Sequence, residues 1–297
     1  MQPTEQTQGF ILGIAAYSIW GLFPLFFNLL SAIEPTQVLL HRVLWSCLFV
    51  GLLLTLRGGW GALKSRLGDA GLWRALTLSS LLIATNWLIF IYAVSQKQVL
   101  SSSLGYFITP LVSAALAVLF LGEPLTRGRQ VAIALALFAI AWQLFKLDQL
   151  PWIPLSLALS FGIYGLVRKQ APIDALAGLF LETLLLVPAA LGYWLWLIAV
   201  DNSQFSRSTP DLLLLLASGV VTALPLLAFA AAAKRLSLMT VGFMMYLNPT
   251  LQFLTAIVLF GEPFTSDQLI SFGCVWAALL VFSLDAVRHR QASLRAP

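Results

Sequence analysis

The chain of 297 residues is 60% hydrophobic and only 10% charged, with a formal net charge of +5 and a mean hydropathy of +0.90. A soluble domain carries about 25% charged residues, so this composition excludes a globular core in water and makes lipid the solvent. The basic residues are scattered through short connections, which argues against a nucleic-acid partner, and the only two cysteines, Cys47 and Cys274, sit inside apolar runs and leave no disulfide framework. With two histidines in the chain, no metal cluster and no cofactor site is expected.

Ten segments reach the roughly 20 residues that a membrane crossing needs: 9–30, 35–56, 73–95, 99–121, 127–146, 151–169, 175–198, 211–233, 238–260 and 266–287. Met1 to Gly9 hold no Lys or Arg, and the apolar run after them carries Trp20 and Pro24, which predicts a retained first span rather than a cleaved leader. The longest connections, 57–72 and 201–210, are too small for soluble domains, and their Gly, Pro, Ser and charged residues mark turns. The runs are about twice the length of barrel strands and do not alternate, so they predict helices, which satisfy their own backbone in lipid.

The fourth and fifth segments meet at Gly122-Glu123-Pro124-Leu125-Thr126, and the ninth and tenth at Gly261-Glu262-Pro263-Phe264-Thr265, an offset of 139. The same offset relates Pro110 to Pro249, and Ala84, Leu88, Phe90 and Ala93 to Ala223, Leu227, Phe229 and Ala232. The chain is therefore a duplication. Five crossings per half start the second half on the opposite side of the membrane, which predicts an all-α membrane protein of two inverted five-helix repeats, 9–146 and 151–287. Of the 17 Lys and Arg, 13 fall on the side of the chain termini, which predicts that both termini are cytoplasmic. Inverted repeats are the architecture of many secondary transporters, with the substrate held where the repeats meet.

Candidate site residues follow from this frame. Pro110 and Pro249 lie mid-span in symmetry-related helices, where a proline frees a carbonyl; Thr109 and Asn248 precede them. Pro24, Pro188 and Pro225 predict further breaks. His41 and Arg42 lie within the second span and Glu182 within the seventh, its symmetry mate. An intramembrane charge is costly, so Arg42 and Glu182 either pair with each other or serve an anionic substrate and a proton. His41 is a structural residue or a titrating one. Tyr17, Trp20, Asn86, Trp87, Tyr92, Tyr106, Tyr164 and Tyr246 mostly lie well inside spans, where some should line a cavity, and Trp20-Gly21 matches Tyr164-Gly165. Asn86 must find a partner or face the pathway. Glu123 and Glu262 are interfacial turn residues or parts of gates. Enzyme motifs for phosphate loops, nucleophile elbows and His-Glu-x-x-His zinc sites are absent from the sequence, and no enzyme is expected.

The ordered set Ala16-Tyr17, Trp20-Gly21, His41-Arg42-Val43-Leu44-Trp45-Ser46, Asn86-Trp87-Leu88, Ser103-Leu104-Gly105-Tyr106-Phe107, Gly165-Leu166-Val167-Arg168-Lys169 and the Gly-Glu-Pro turns resembles the drug/metabolite transporter superfamily. Within it, the likeness is to the EamA-like group and its RarD-type (chloramphenicol-sensitive protein) permeases, and it runs from Gly9 to Asp285. The resemblance implies a ten-helix carrier in the bacterial inner membrane that moves small organic metabolites, often amino acids or drugs, usually outward. It implies a cavity lined by the first, third, fourth, sixth, eighth and ninth helices, with the helices of Arg42 and Glu182 at the periphery.

The sequence thus predicts a secondary transporter of small organic molecules that works by alternating access, with proton coupling through Glu182 or His41. A membrane sensor or assembly partner would not need matched mid-span prolines. A channel would show a repeated polar filter. An intramembrane enzyme would need a catalytic pair at depth.

Overall fold

The structure, a computed structural model, describes residues 4–30, 32–95, 99–144, 152–200, 208–259 and 266–295, and within them every regular element is a helix. The first span is two helices, α1 (Glu5–Gly21) and α2 (Phe23–Leu29), divided at Leu22. The rest of the first repeat is α3 (Pro35–Leu56), the short non-crossing α4 (Trp60–Lys64), α5 (Ala70–Ser95), α6 (Val99–Leu121) and α7 (Arg127–Leu144). The second repeat holds α8 (Trp152–Gln170), α9 (Ala175–Ala199) and α10 (Thr209–Arg235). Its fourth span is divided into α11 (Leu238–Met244) and α12 (Leu247–Val258), and α13 (Ser266–Arg295) follows. Five segments, Glu5–Leu29, Pro35–Leu56, Ala70–Ala93, Ala175–Ala199 and Thr209–Arg235, are long and apolar enough alone to cross a bilayer. Large apolar side chains such as Leu56, Leu119 and Val258 stand exposed on the outside, where lipid is their solvent. The chain is an all-α multi-pass membrane protein of ten crossings in two inverted five-helix repeats.

Proline does not break these helices uniformly. α6 runs through Pro110, α9 through Pro188 and α10 through Pro225, so the breaks expected at the last two are absent. A proline costs one hydrogen bond, which close neighbours can hold together in a bilayer. Pro249 behaves differently: its ring opposes the carbonyl four residues back, Met245, and that residue caps α11. The break ahead of Pro24 falls similarly, at Leu22.

The packing obeys the pseudo-two-fold axis. α5 lies on α8, and its mate α10 lies on α1; α3 lies on α9, and α7 on α13, across the axis. The symmetry is imperfect in one respect. α6 packs along most of α8, whereas α1 meets the equivalent α11 and α12 over a shorter stretch. Two glycines allow the first approach: a Cβ at Gly105 would stand 3.0 Å from Leu157 Cβ, and one at Gly162 2.6 Å from Val112 Cγ1. The ninth span also divides its loyalties. α11 packs closely on α6, with Gly242 against Ser113, where a Cβ would come within 2.7 Å, while α12 touches α6 only sparsely.

Candidate functional site

The end of the bundle that carries the chain termini is closed by backbone caps. Gly122, with φ of 62°, turns the chain so that Glu123 reaches across to the second repeat. There its carboxylate accepts from the backbone N–H groups of Leu238 (2.6 Å) and Met239 (3.2 Å), and Ser237 Oγ accepts from Thr240 N at 3.1 Å. The orphan donors that open α11 are thus satisfied by a carboxylate from the first repeat. Lys169 Nζ donates to the carbonyls of Ala233 (3.1 Å) and Leu236 (2.5 Å) at the end of α10. Lys234 Nζ donates back to the carbonyls of Lys169 and Ala171 at the end of α8. Each lysine tops the other helix's C-terminus. Glu123 is therefore a cap at this closed end; Glu262 lies outside the described residues.

Beneath that closure Tyr17 Oη donates to the Val241 carbonyl at 2.9 Å and ties α1 to α11. Tyr17, Trp20, Phe161, Tyr164 and Phe229 form an aromatic plug, with neighbouring centroids 5.1 to 6.3 Å apart. Such ring pairs add about 0.5–1.5 kcal/mol each beyond burial.

Beyond the plug, on the side away from the termini, the helices part around a small cavity of about 40 Å³. Trp20, Arg42, Asn86, Trp87, Tyr106 and Asn248 line it, joined by Phe23, Phe90, Phe161, Met245 and Gln252. Six residues singled out by sequence meet here, from both repeats. Asn86 is 3% exposed and spends its amide nitrogen on α8, donating to Leu157 O (3.0 Å) and Ser160 Oγ (2.9 Å). Asn248 Oδ1 accepts from Gln252 Nε2 at 2.8 Å.

The sequence leaves Arg42 between an ion pair with Glu182 and an anionic ligand. Its guanidinium lies over the rings of Trp87 (4.8 Å to the centroid), Phe27 (5.0 Å) and Phe23 (5.9 Å), and its Nε donates to Thr222 Oγ1 at 2.9 Å. Of Arg42's two readings, the ion pair with Glu182 is not made, and a helix that the resemblance puts at the periphery delivers a cation to the cavity. Among the described residues no carboxylate lies within ion-pair distance of it. Glu182 instead faces Arg168 (Oε1 to Nε 3.6 Å), accepts from Ser79 Oγ, and lies 3.5 Å from Tyr164 Oη. Both members of that pair are at most 1% exposed.

Other candidates sit elsewhere. His41 stacks on Trp45 (6.3 Å) and meets the edge of Trp194 (5.5 Å), at 0% exposure. Thr109 Oγ1 bonds back to the Gly105 carbonyl at 2.8 Å, and Tyr246 is buried against Phe107 and Phe243. Pro110 and Pro249 shape α6 and the α11–α12 break rather than line the cavity. Tyr92 is 45% exposed beside Trp152. Sequence reading missed Phe23, Phe90, Phe161, Met245 and Gln252, although each lies three or four residues from a named candidate.

Comparison with known proteins places this geometry. The model of the EamA-like transporter family matches residues 7–145 and again 151–284. An "Uncharacterized transporter" of Vibrio cholerae is 42% identical over 299 residues, covering 100% of this chain and 99% of that protein. "Protein RarD" of Escherichia coli is 41% identical over 288 residues, 97% of each. "Chloramphenicol-sensitive protein RarD" of Pseudomonas aeruginosa is 33% identical, covering 95% of each. A solved structure, "Crystal structure of protein", superposes with a TM-score of 0.71 over 93% of this chain and 97% of its own; at 16% identity it supports the fold alone.

Proposed function

The chain belongs to the EamA-like transporter family, and from that premise we propose that it is a secondary transporter of small organic molecules working by alternating access in the bacterial inner membrane. The observation that carries the reading is the cavity itself. It lies where the repeats meet, holds polar and aromatic groups from both, and is shut toward the termini while α12 diverges from α6 on the other side. The positive-inside bias puts both termini in the cytoplasm, so this conformation is closed to the cytoplasm. Exchanging the roles of the two repeats, α6 loosening from α8 while α1 closes on α12, produces the opposite-facing state. A substrate drives that exchange only through different affinities for the two states. We assign the driving force to a proton gradient, with Glu182 and His41 as titrating candidates. Neither lines the cavity, so coupling runs through Tyr164, which touches Glu182 and stacks on Phe229 of the plug.

The test is uptake of radiolabelled amino acids and small aromatic metabolites into proteoliposomes, with and without an imposed pH gradient, beside the P110A/P249A double variant. Saturable, gradient-dependent flux lost in the variant is the expected result. Flux indifferent to the gradient removes the proton. No flux from folded protein replaces the carrier with a membrane sensor or assembly partner.

A further inference from the structure

Arg42 is the one ionised side chain among the cavity's lining residues, and no carboxylate among the described residues neutralises it. A guanidinium stays protonated at any accessible pH, so it cannot escape its burial by losing a proton. At 3% exposure it has also lost most of its water. Three aromatic faces and one hydroxyl contribute to holding it, and they leave its terminal nitrogens without a protein hydrogen bond among the described residues. Thr222 takes only Nε, the inner nitrogen. The outer edge, the face that grips two oxygens side by side, is what remains. An intramembrane cation without a partner points to a partner that arrives from outside.

From this we infer that the cavity selects organic monoanions: a carboxylate seated on Arg42, carried by an apolar body packed among Trp20, Phe90 and Phe161. The inference rests on the carrier reading and narrows it. One guanidinium matches one negative charge, and the lining offers no second cation. The lining offers no carboxylate either, so an ammonium group has only neutral acceptors such as Asn86 Oδ1. Organic cations are therefore poor ligands, and zwitterions weaker ones than the matching acids. The aromatic walls suit a small aromatic body with a short acid tail.

The test uses matched probes on the intact purified protein in detergent. Phenylacetate, indole-3-acetate and benzoate are compared with phenylacetamide, indole-3-acetamide and benzamide, and with phenethylamine, by thermal stabilisation. Each acid and its amide share shape and differ in charge, so the wild-type protein alone gives an answer. Arg42→Gln and the charge-preserving Arg42→Lys run beside it, each first checked for a single sharp size-exclusion peak. The expected result is stabilisation by at least one acid, at concentrations at least tenfold below its amide, weakened at least tenfold in R42Q and partly retained in R42K. Equal effects of acid and amide, acid binding unchanged in R42Q, or no acid binding at all overturns the inference. The same probes in the flux assay separate the two claims. Binding of acids without flux leaves the anion site standing and removes the carrier; flux of amides alone leaves the carrier and removes the anion site.

Discussion

Two arginines lie inside this bundle, and the structure treats them oppositely. Arg168 is fully buried, faces Glu182 at 3.6 Å, donates to the Ala175 carbonyl at 3.3 Å, and fits only because residue 178 is glycine, where a Cβ would collide with its guanidinium. Arg42 is as dry but has aromatic faces where Arg168 has a carboxylate. The first has its counterion, with Ser79 and Tyr164 completing the shell of Glu182, although Arg168 Nε and Nη1 make no hydrogen bond. The second is open, and it opens onto the cavity. The contrast teaches that burial of a charge says little about its role until the counterion has been located.

Substitutions can break the contrast at either end. The largest effect belongs to the paired site: Arg168→Met or Glu182→Gln alone strands a buried charge and is expected to cost about 3–5 kcal/mol, while the joint variant recovers most of the loss, read from melting in detergent. Arg42→Gln should do the reverse. Its melting temperature is expected to change little, because no charge is stranded and only the Thr222 hydroxyl and three ring faces lose a contact. Anion binding and flux are expected to fall about 10–100-fold, the worth of a charged hydrogen-bonded contact of about 1.5–3 kcal/mol. If both arginine sites lose stability alike, the distinction fails. Gly178→Ala, which crowds Arg168 without touching the cavity, is expected to cost about 1–3 kcal/mol of stability. The smallest effect is expected of Thr222→Val, which removes the one hydrogen bond that aims Arg42 and should weaken acid binding a few-fold, about 0.5–1.5 kcal/mol. Titration of the acid probes against this variant measures it.

The ten crossings were legible because hydrocarbon thickness imposes a length that apolar runs cannot hide. The inverted repeat was legible because the Gly-Glu-Pro turns and Pro110/Pro249 share one offset. The different fates of those prolines were not legible. Both copies remove an N–H and crowd a carbonyl, yet α6 is held along α8 through Gly105 and Gly162 while α11 and α12 separate, and the sequence of a helix does not name its neighbours. The cavity's Trp20, Asn86, Trp87, Tyr106 and Asn248 were readable as polar or aromatic groups too deep to be interfacial anchors. For Arg42 the symmetry relation to Glu182 kept a pair across the axis open beside an anionic-substrate role, and Arg168, near the end of α8, takes that carboxylate instead. No pattern of spacing records which of the two arginines reaches it.

The swap of first spans between repeats bears on how the protein is made. α8, from the second repeat, fills the groove between α5 and α6 of the first, and α1, from the first, fills that between α10 and α12 of the second. A ribosome that has delivered only residues 1–144 has thus released five inserted helices whose grooves await a segment not yet synthesised. Topology is settled early in synthesis, and tertiary structure late. A gene encoding one repeat alone would yield a subunit that completes itself only against a second copy inserted upside down, so that a half-length protein of this design is an antiparallel dimer or nothing.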